Sequence, residues 1–192
     1  MIDFAKATFI KSAPTLKDRP ETSLNEICFI GKSNVGKSSL INALVKRRNL
    51  AHTSSKPGYT KLLNYYLIDD KFYLVDAPGY GYTASGSKHL DNFSKMMETY
   101  FDNKNLKAVA FLVDSRHKMS EDDKLFYSFI LDKGIPFVLV ATKVDKLNQS
   151  EKAKMKKNVK EVFGDIEFIP TSKDDNRSID KIKETIVRLV LG

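Results

Sequence analysis

Short apolar runs alternate with longer stretches of mixed polarity along most of the chain. The runs Ile27 to Ile30, Leu62 to Ile68, Phe72 to Val75, Ala108 to Val113, Phe137 to Ala141 and Ile166 to Ile169 have the length and continuity of strands buried on both faces. Between them the period lengthens. Phe93, Met96, Met97, Tyr100 and Phe101 fall on one face of a helix between positions 87 and 106, which is a core stripe. Ser120-Glu121-Asp122-Asp123 opens the next helix as a capping box with acids at its positive end, its apolar face is Leu125, Phe126, Phe129 and Ile130, and Lys133-Gly134 closes it before Pro136. Two further helices, about 150–163 and 178–191, carry stripes at Met155, Val159 and Val162, and at Ile179, Ile182, Ile186, Leu189 and Val190. Strands alternating with helices predict an α/β fold, a mostly parallel central sheet with helices on both faces. One strand must run the other way. Only Asp69-Asp70-Lys71 separates two of the runs, too little for a crossover helix, so that pair is an antiparallel hairpin. Ahead of this core, Ala7 to Lys11 reads as an edge strand, and the polar stretch Ser12 to Asn25, with Pro14 and Pro20, as an exposed leader loop.

At 192 residues the pattern fits one domain over 1–192, a leader with its edge strand over 1–25 and the core over 26–192. The single cysteine, Cys28, excludes an internal disulfide, and no Cys/His spacing resembles a zinc site. No run approaches the roughly 18 apolar residues of a membrane span, and charges interrupt the opening segment where a signal peptide needs an unbroken apolar stretch. The expectation is a soluble cytoplasmic protein. A net charge of +8 leans toward an anionic partner, nucleic acid or an acidic membrane surface.

The chemistry begins after the strand ending at Ile30. Gly31-Lys32-Ser33-Asn34-Val35-Gly36-Lys37-Ser38 fits the phosphate-loop pattern and runs into the helix former Ser39-Leu40-Ile41. Glycines let successive amides turn inward and the helix N-terminus adds positive partial charge, so the loop is a nest for phosphates. Lys37 would bridge the terminal phosphates, and Ser38 would supply a hydroxyl ligand to Mg²⁺. This loop alone does not separate ATP from GTP.

Three later segments complete the set, each after a predicted strand. Asp76-Ala77-Pro78-Gly79 places an acid where it can hold Mg²⁺ through water, and a glycine whose amide can approach the terminal phosphate. Thr142-Lys143-Val144-Asp145 offers an acceptor-only carboxylate to guanine, which presents a ring N–H and an amino group side by side, whereas adenine presents an acceptor. An unpaired buried acceptor costs about 1–3 kcal/mol, more when charged, so Asp145 would select guanine and Lys143 would lay its stem along the base; taken alone, the tetrapeptide reads equally as a solvated loop with an ordinary charge pair. Thr171-Ser172-Lys173 is a weaker signal, a backbone amide for the guanine carbonyl.

With these residues in order the chain resembles the translation-factor-related GTPases of the TrmE-Era-EngA-EngB-septin superfamily. Within them it is most similar to the small bacterial ribosome-assembly GTPases of the EngB (YihA, YsxC) type. Blocks beyond the nucleotide motifs carry that similarity: SAPTLKDRPE, KPGYTKLLNYYLID, LVDAPGYGY and DSRHKMSEDD. The resemblance implies a GTP-hydrolysing switch, bound to GTP or GDP with Mg²⁺ and acting with the large ribosomal subunit and its rRNA, with ties to cell division and septation. Lys37, Thr60 and Gly79 would be its catalytic residues. Lys56-Pro57-Gly58-Tyr59-Thr60 would be the first switch, with Thr60 joining Ser38 and Asp76 at Mg²⁺; from chemistry alone Thr53 competes for that role. Segment 79–90 would be the second switch. Tyr80 stands where signalling GTPases carry the glutamine that orients the attacking water, which implies slow intrinsic turnover. Tyr80 and Tyr82 are equally candidates for partner contacts or for anchors on the domain. Asn34 matches an asparagine that relatives use to coordinate K⁺, an activating cation near the developing charge.

Lys46-Arg47-Arg48 and the crowd Lys152, Lys154, Lys156, Lys157 and Lys160 would suit RNA phosphate, or simply form a solvated surface. Two rivals stand beside the assembly reading: a binding module whose hydrolysis is incidental, and a membrane-associated GTPase. The second lacks a lipidation signal, with no Met-Gly start and no terminal cysteine. A monomer that binds no membrane is expected.

Overall fold

In the computed structural model the described residues are 2–51, 62–81 and 87–192, and within the last range side chains are described from 93 onward. All the strands described join one sheet, ordered β1-β3-β4-β2-β5-β6-β7. They are β1 (Ala7–Ala13), β2 (Glu26–Gly31), β3 (Leu63–Ile68), β4 (Phe72–Asp76), β5 (Leu106–Asp114), β6 (Phe137–Thr142) and β7 (Phe168–Pro170). β3 is antiparallel to both β1 and β4, and the other pairings are parallel. The single reversed strand is the one the short Asp69-Asp70-Lys71 turn demanded, and Asp69 and Asp70 both adopt positive φ there.

β2 is buried along its whole length, and its alternation feeds two cores. Ile27 and Phe29 face the layer of α1 (Lys37–Leu44) and α5 (Asn176–Leu191), with Leu40, Ile41, Leu44, Ile182 and Ile186. Cys28 and Ile30 face the layer of α2 (Ser87–Phe101), α3 (Glu121–Asp132) and α4 (Gln149–Phe163), with Tyr100, Phe126, Ile130, Met155 and Val159. The capping box expected at Ser120 is present: its hydroxyl accepts from the Asp123 amide while the Asp123 carboxylate accepts from the Ser120 amide. A second box, Asn148 with Glu151, starts α4 slightly earlier than the apolar stripe suggested.

The leader is only in part the exposed loop its polarity suggested. β1 continues past Lys11 to a fully buried Ala13, and a 3-10 turn follows at Leu16–Asp18. Arg19 then donates to Asn103 Oδ1 at 2.5 Å, the Asn105 amide group to Thr22 O at 3.0 Å, and the Asn25 amide group to Val190 O at 2.7 Å. Polar side chains bonding to backbone can fasten a segment that has no apolar period, which is why the pattern missed it. At the other edge the last strand forms at Phe168–Pro170, two residues later than its apolar run.

Candidate nucleotide site

The carboxyl ends of β2, β4, β5, β6 and β7 lie side by side in the sheet, and the loops leaving them carry the chemistry read from the sequence. This is where open α/β sheets place ligands. Backbone geometry shapes the loop after β2. A Cβ on Gly31 would lie 2.7 Å from Leu112 O, so only glycine fits. Asn34 takes φ 64°, and Gly36 takes φ 103° as the N-terminal cap of α1, with no side chain capping the helix. The first amides of α1 are thereby left without a side-chain partner, as an anion site requires.

Lys37, at the start of α1, pairs its ammonium with the Asp76 carboxylate at the end of β4, both nearly buried. The lysine meant for phosphate and the acid meant for the metal are thus adjacent. Ser38 follows Lys37 in the first turn of α1. A hydroxyl and a carboxylate beside a phosphate site form the all-oxygen donor set that suits Mg²⁺.

Beyond Asp76, the segment Ala77-Pro78-Gly79 closes onto the phosphate loop. Tyr80 and Lys32 form a parallel bridge: the Ser33 amide donates to Tyr80 O at 3.0 Å, and the Tyr80 amide to Gly31 O at 3.3 Å. A Cβ on Gly79 would meet the Ser33 backbone at 3.0 Å. The Tyr80 side chain turns the other way. It is buried, stacks on Phe126 with centroids 5.1 Å apart, and donates its hydroxyl to Asp123 Oδ1 at 2.7 Å. Burial first, then the neighbouring Asp123 charge, pushes its phenol well above the ordinary range. Of the two readings left open for Tyr80, this geometry is an anchor.

The segment expected to read the base, residues 142–145, is tied to the loop after β2 at two points. The Thr142 hydroxyl lies 2.6 Å from Val35 O, and Lys143 Nζ donates to Asn34 O at 2.6 Å. Lys143 itself takes φ 63° and caps the 3-10 turn Val144–Lys146 that carries Asp145. Asp145 is exposed beside Lys146 Nζ at 3.2 Å. The Thr171 amide is spent on Ala141 O at 2.8 Å, and Thr171 O accepts from the Val144 amide at 3.2 Å, so any amide for a base would be that of Ser172 or Lys173. Ser39 continues α1. Pro57, Gly58, Tyr59, Thr60, Thr53 and Tyr82 lie outside the described residues.

Sequence reasoning missed Asp114 and Arg116. Arg116 grips Asp114 through Nε at 3.0 Å and Nη2 at 2.8 Å, and Lys143 Nζ adds a bond at 2.9 Å. Burial would raise the Asp114 carboxyl, but the hydrogen bonds from Arg116 and Lys143 outweigh it and hold it at about 2. The available signal was an acid at the carboxyl end of a predicted strand, the position already read as meaningful for Asp76.

Residues 26–143 match the model of a family described as 50S ribosome-binding GTPase. The chain is 43% identical over 185 residues to the probable GTP-binding protein EngB of Lactococcus lactis, covering 94% of this chain and 95% of that one. It is 44% identical over 190 residues to its namesake in Mycoplasma capricolum, covering 96% and 97%. The chain belongs to the EngB family of GTP-binding proteins. Its domain is a GTPase domain. Among solved structures, a probable EngB GTP-binding protein superposes with TM-score 0.67 at 22% identity, over 86% of this chain and 98% of that one. Era in complex with MgGDPNP and a segment of 16S ribosomal RNA superposes with TM-score 0.68 at 21% identity, over 87% and 57%. At such identities these likenesses speak for the fold alone. Among the described residues no helix is long and apolar enough to cross a membrane.

Proposed function

We propose that this EngB-family GTPase is one domain over 1–192 that cycles between GTP and GDP with Mg²⁺ and uses the cycle to time its association with an assembling large ribosomal subunit. The observation that carries the site assignment is the Lys37–Asp76 pair beneath an uncapped helix N-terminus. Two opposite charges held almost out of water satisfy one another. A nucleotide arriving with Mg²⁺ gives each its own partner: phosphate for Lys37, the hydrated cation for Asp76. Burying either charge alone costs several kcal/mol, so the exchange favours nucleotide and metal entering together.

In this reading Gly31 to Ser39 wrap the phosphates, Ser38, Asp76 and Thr60 hold Mg²⁺, and Asp145 reads guanine with Lys143 along its face. Pro57, Gly58 and Tyr59 lead into Thr60, and Ala77 and Pro78 set the Gly79 amide toward the terminal phosphate. Mg²⁺, when bound, would neutralise charge on the phosphates. Lys37 and the loop amides then stabilise the charge that builds as water attacks in line. Tyr80 spends its hydroxyl on Asp123 and so does not orient that water, in keeping with slow turnover that the ribosomal partner accelerates. Asn34, exposed in a left-handed turn of the loop, is the residue that would recruit K⁺; equal turnover in Na⁺ and K⁺ removes that role.

The large-subunit partner is supported by the matching family's description and by the basic surface, in which Lys154, Lys156, Lys157 and Lys160 of α4 are all exposed. A cytoplasmic monomer fits these features, and flotation with acidic liposomes separates it from a membrane-bound rival. The deciding test is co-sedimentation with purified large subunits in a non-hydrolysable GTP analogue, in GDP and without nucleotide. Retention in the analogue alone is expected. Loss in every state would remove the ribosome from the reading and leave the GTPase intact.

A further inference from the structure

Asp114 ends β5, beside Thr142 in the parallel ladder with β6, one strand from the phosphate loop. Its carboxylate is saturated. Oδ1 accepts from the Arg116 backbone amide at 3.1 Å and from Arg116 Nε at 3.0 Å; Oδ2 accepts from Arg116 Nη2 at 2.8 Å and from Lys143 Nζ at 2.9 Å. An ionised carboxylate has about four acceptor positions, and here every one is used. The two cations it holds reach in turn toward different parts of the site. Lys143 reaches on to Asn34 O in the phosphate loop, and Arg116 sits close enough to Asp145 for that charge to act on it.

This arrangement bears on base reading because Asp145 has little of its own to hold it. Its side chain is almost half exposed and its one described partner, Lys146, is more exposed still. The place of Asp145 therefore comes from its backbone, and that backbone hangs on Lys143. A lysine at φ 63° is in a conformation that side-chain-bearing residues avoid, so something must hold it. Its ammonium, bonded to both Asp114 and the phosphate loop, is what does so. Without Asp114 one of those bonds is gone and Arg116 is released, so Lys143 is held by Asn34 O alone, while the turn beginning at Val144 keeps its amide bond to Thr171 O.

We propose that Asp114 is a positioning residue for guanine discrimination, locking the 142–145 segment against the phosphate loop through Lys143 and Arg116 without touching the nucleotide. The proposal rests on Asp145 as the reader of guanine, and the test separates the two. GDP, IDP and XDP affinities are measured by calorimetry on the full chain and on Asp114→Ala, Asp114→Asn and Asp145→Asn, with melting temperatures alongside. IDP lacks the exocyclic amino group, so the GDP-to-IDP ratio reports how well Asp145 meets that group.

Loss of a hydrogen bond to a charged partner predicts GDP binding about tenfold to a hundredfold weaker in Asp114→Ala, with a smaller GDP-to-IDP ratio. Asp114→Asn is nearly isosteric and keeps one carbonyl oxygen for Lys143, so it should fold as the parent does and fall between the two. A purely structural Asp114 would lower the melting temperature and leave the ratio alone; an unchanged ratio in both variants overturns the proposal. Asp145→Asn exchanges an acceptor for a donor and should gain XDP at the expense of GDP, since xanthine carries a carbonyl where guanine carries the amino group. Failure of that exchange overturns the base-reading assignment, and the positioning role with it.

Discussion

Gly79 and Tyr80 are neighbours with opposite duties. Gly79 is small because Ser33 is there: a methyl group would stand 3.0 Å from Ser33 Cα, N and Oγ, and backbone cannot swing aside as a side chain can. Gly79→Ala should therefore disturb the place where, in the proposed function, the Gly79 amide would approach a terminal phosphate. The expected outcome is about tenfold weaker binding of a GTP analogue, with GDP affinity changed less than about threefold, measured by calorimetry. The Tyr80 side chain turns toward α3 instead. Tyr80→Phe keeps the stack on Phe126 and removes only the hydroxyl bond to Asp123. Denaturant unfolding should show a loss of about 1–3 kcal/mol, while phosphate release stays within about twofold. A large fall in turnover would instead place the phenol in the reaction.

At the scale of elements, most of the sheet was legible because its strands are buried on both faces. Cys28 and Ile30 serve one core and Ile27 and Phe29 the other, so no polar residue interrupts the run. The four site segments were legible for a related reason, since each follows a strand whose end its apolar run already marks. Asp114 and Arg116 were not, because their meaning lies in a contact with Lys143 across two strands that spacing does not encode. The leader was illegible too, being fastened by Arg19, Asn25 and Asn105 rather than by an apolar face. Arg19 also stands 3.8 Å from the fully buried Glu26, whose other oxygen accepts from Tyr100 at 3.0 Å and Asn103 at 3.2 Å. Burial raises the Glu26 carboxyl, and Tyr100, Asn103 and Arg19 oppose the rise. A carboxyl raised by folding favours the folded state below its unfolded pKa, near 4.3, and loses that benefit as pH climbs through its folded value. Arg19→Ala removes an opposing cation and lifts the carboxyl further. The variant should be about 1–2 kcal/mol less stable, with a deficit that grows from pH ~4 toward neutrality; a deficit independent of pH would mean that Arg19 acts only through Asn103.

Over the whole molecule, the site belongs to the sheet rather than to any one loop. Its loops leave five strands, and two bonds, Thr142 to Val35 and Lys143 to Asn34, already join the base side to the phosphate side. A guanine nucleotide spanning both sides would add contacts at the ends of strands that are far apart in sequence, so its binding energy should appear as stability of the whole fold. For a ligand bound only by the native state, a free concentration one hundred times Kd contributes about 2.7 kcal/mol. In a chain of this size that corresponds to a rise of roughly 5–10 °C in Tm. GDP with Mg²⁺ should give such a shift in a thermal melt, and ATP at the same concentration should give none, because Asp145 has no donor to accept from on adenine. An equal shift from ATP would mean that the phosphate loop binds alone and that base and phosphate are read independently. The cross-ties argue against that. A base that fails to seat on Asp145 leaves Lys143 and the phosphate loop where they already are, and the sheet gains nothing from it.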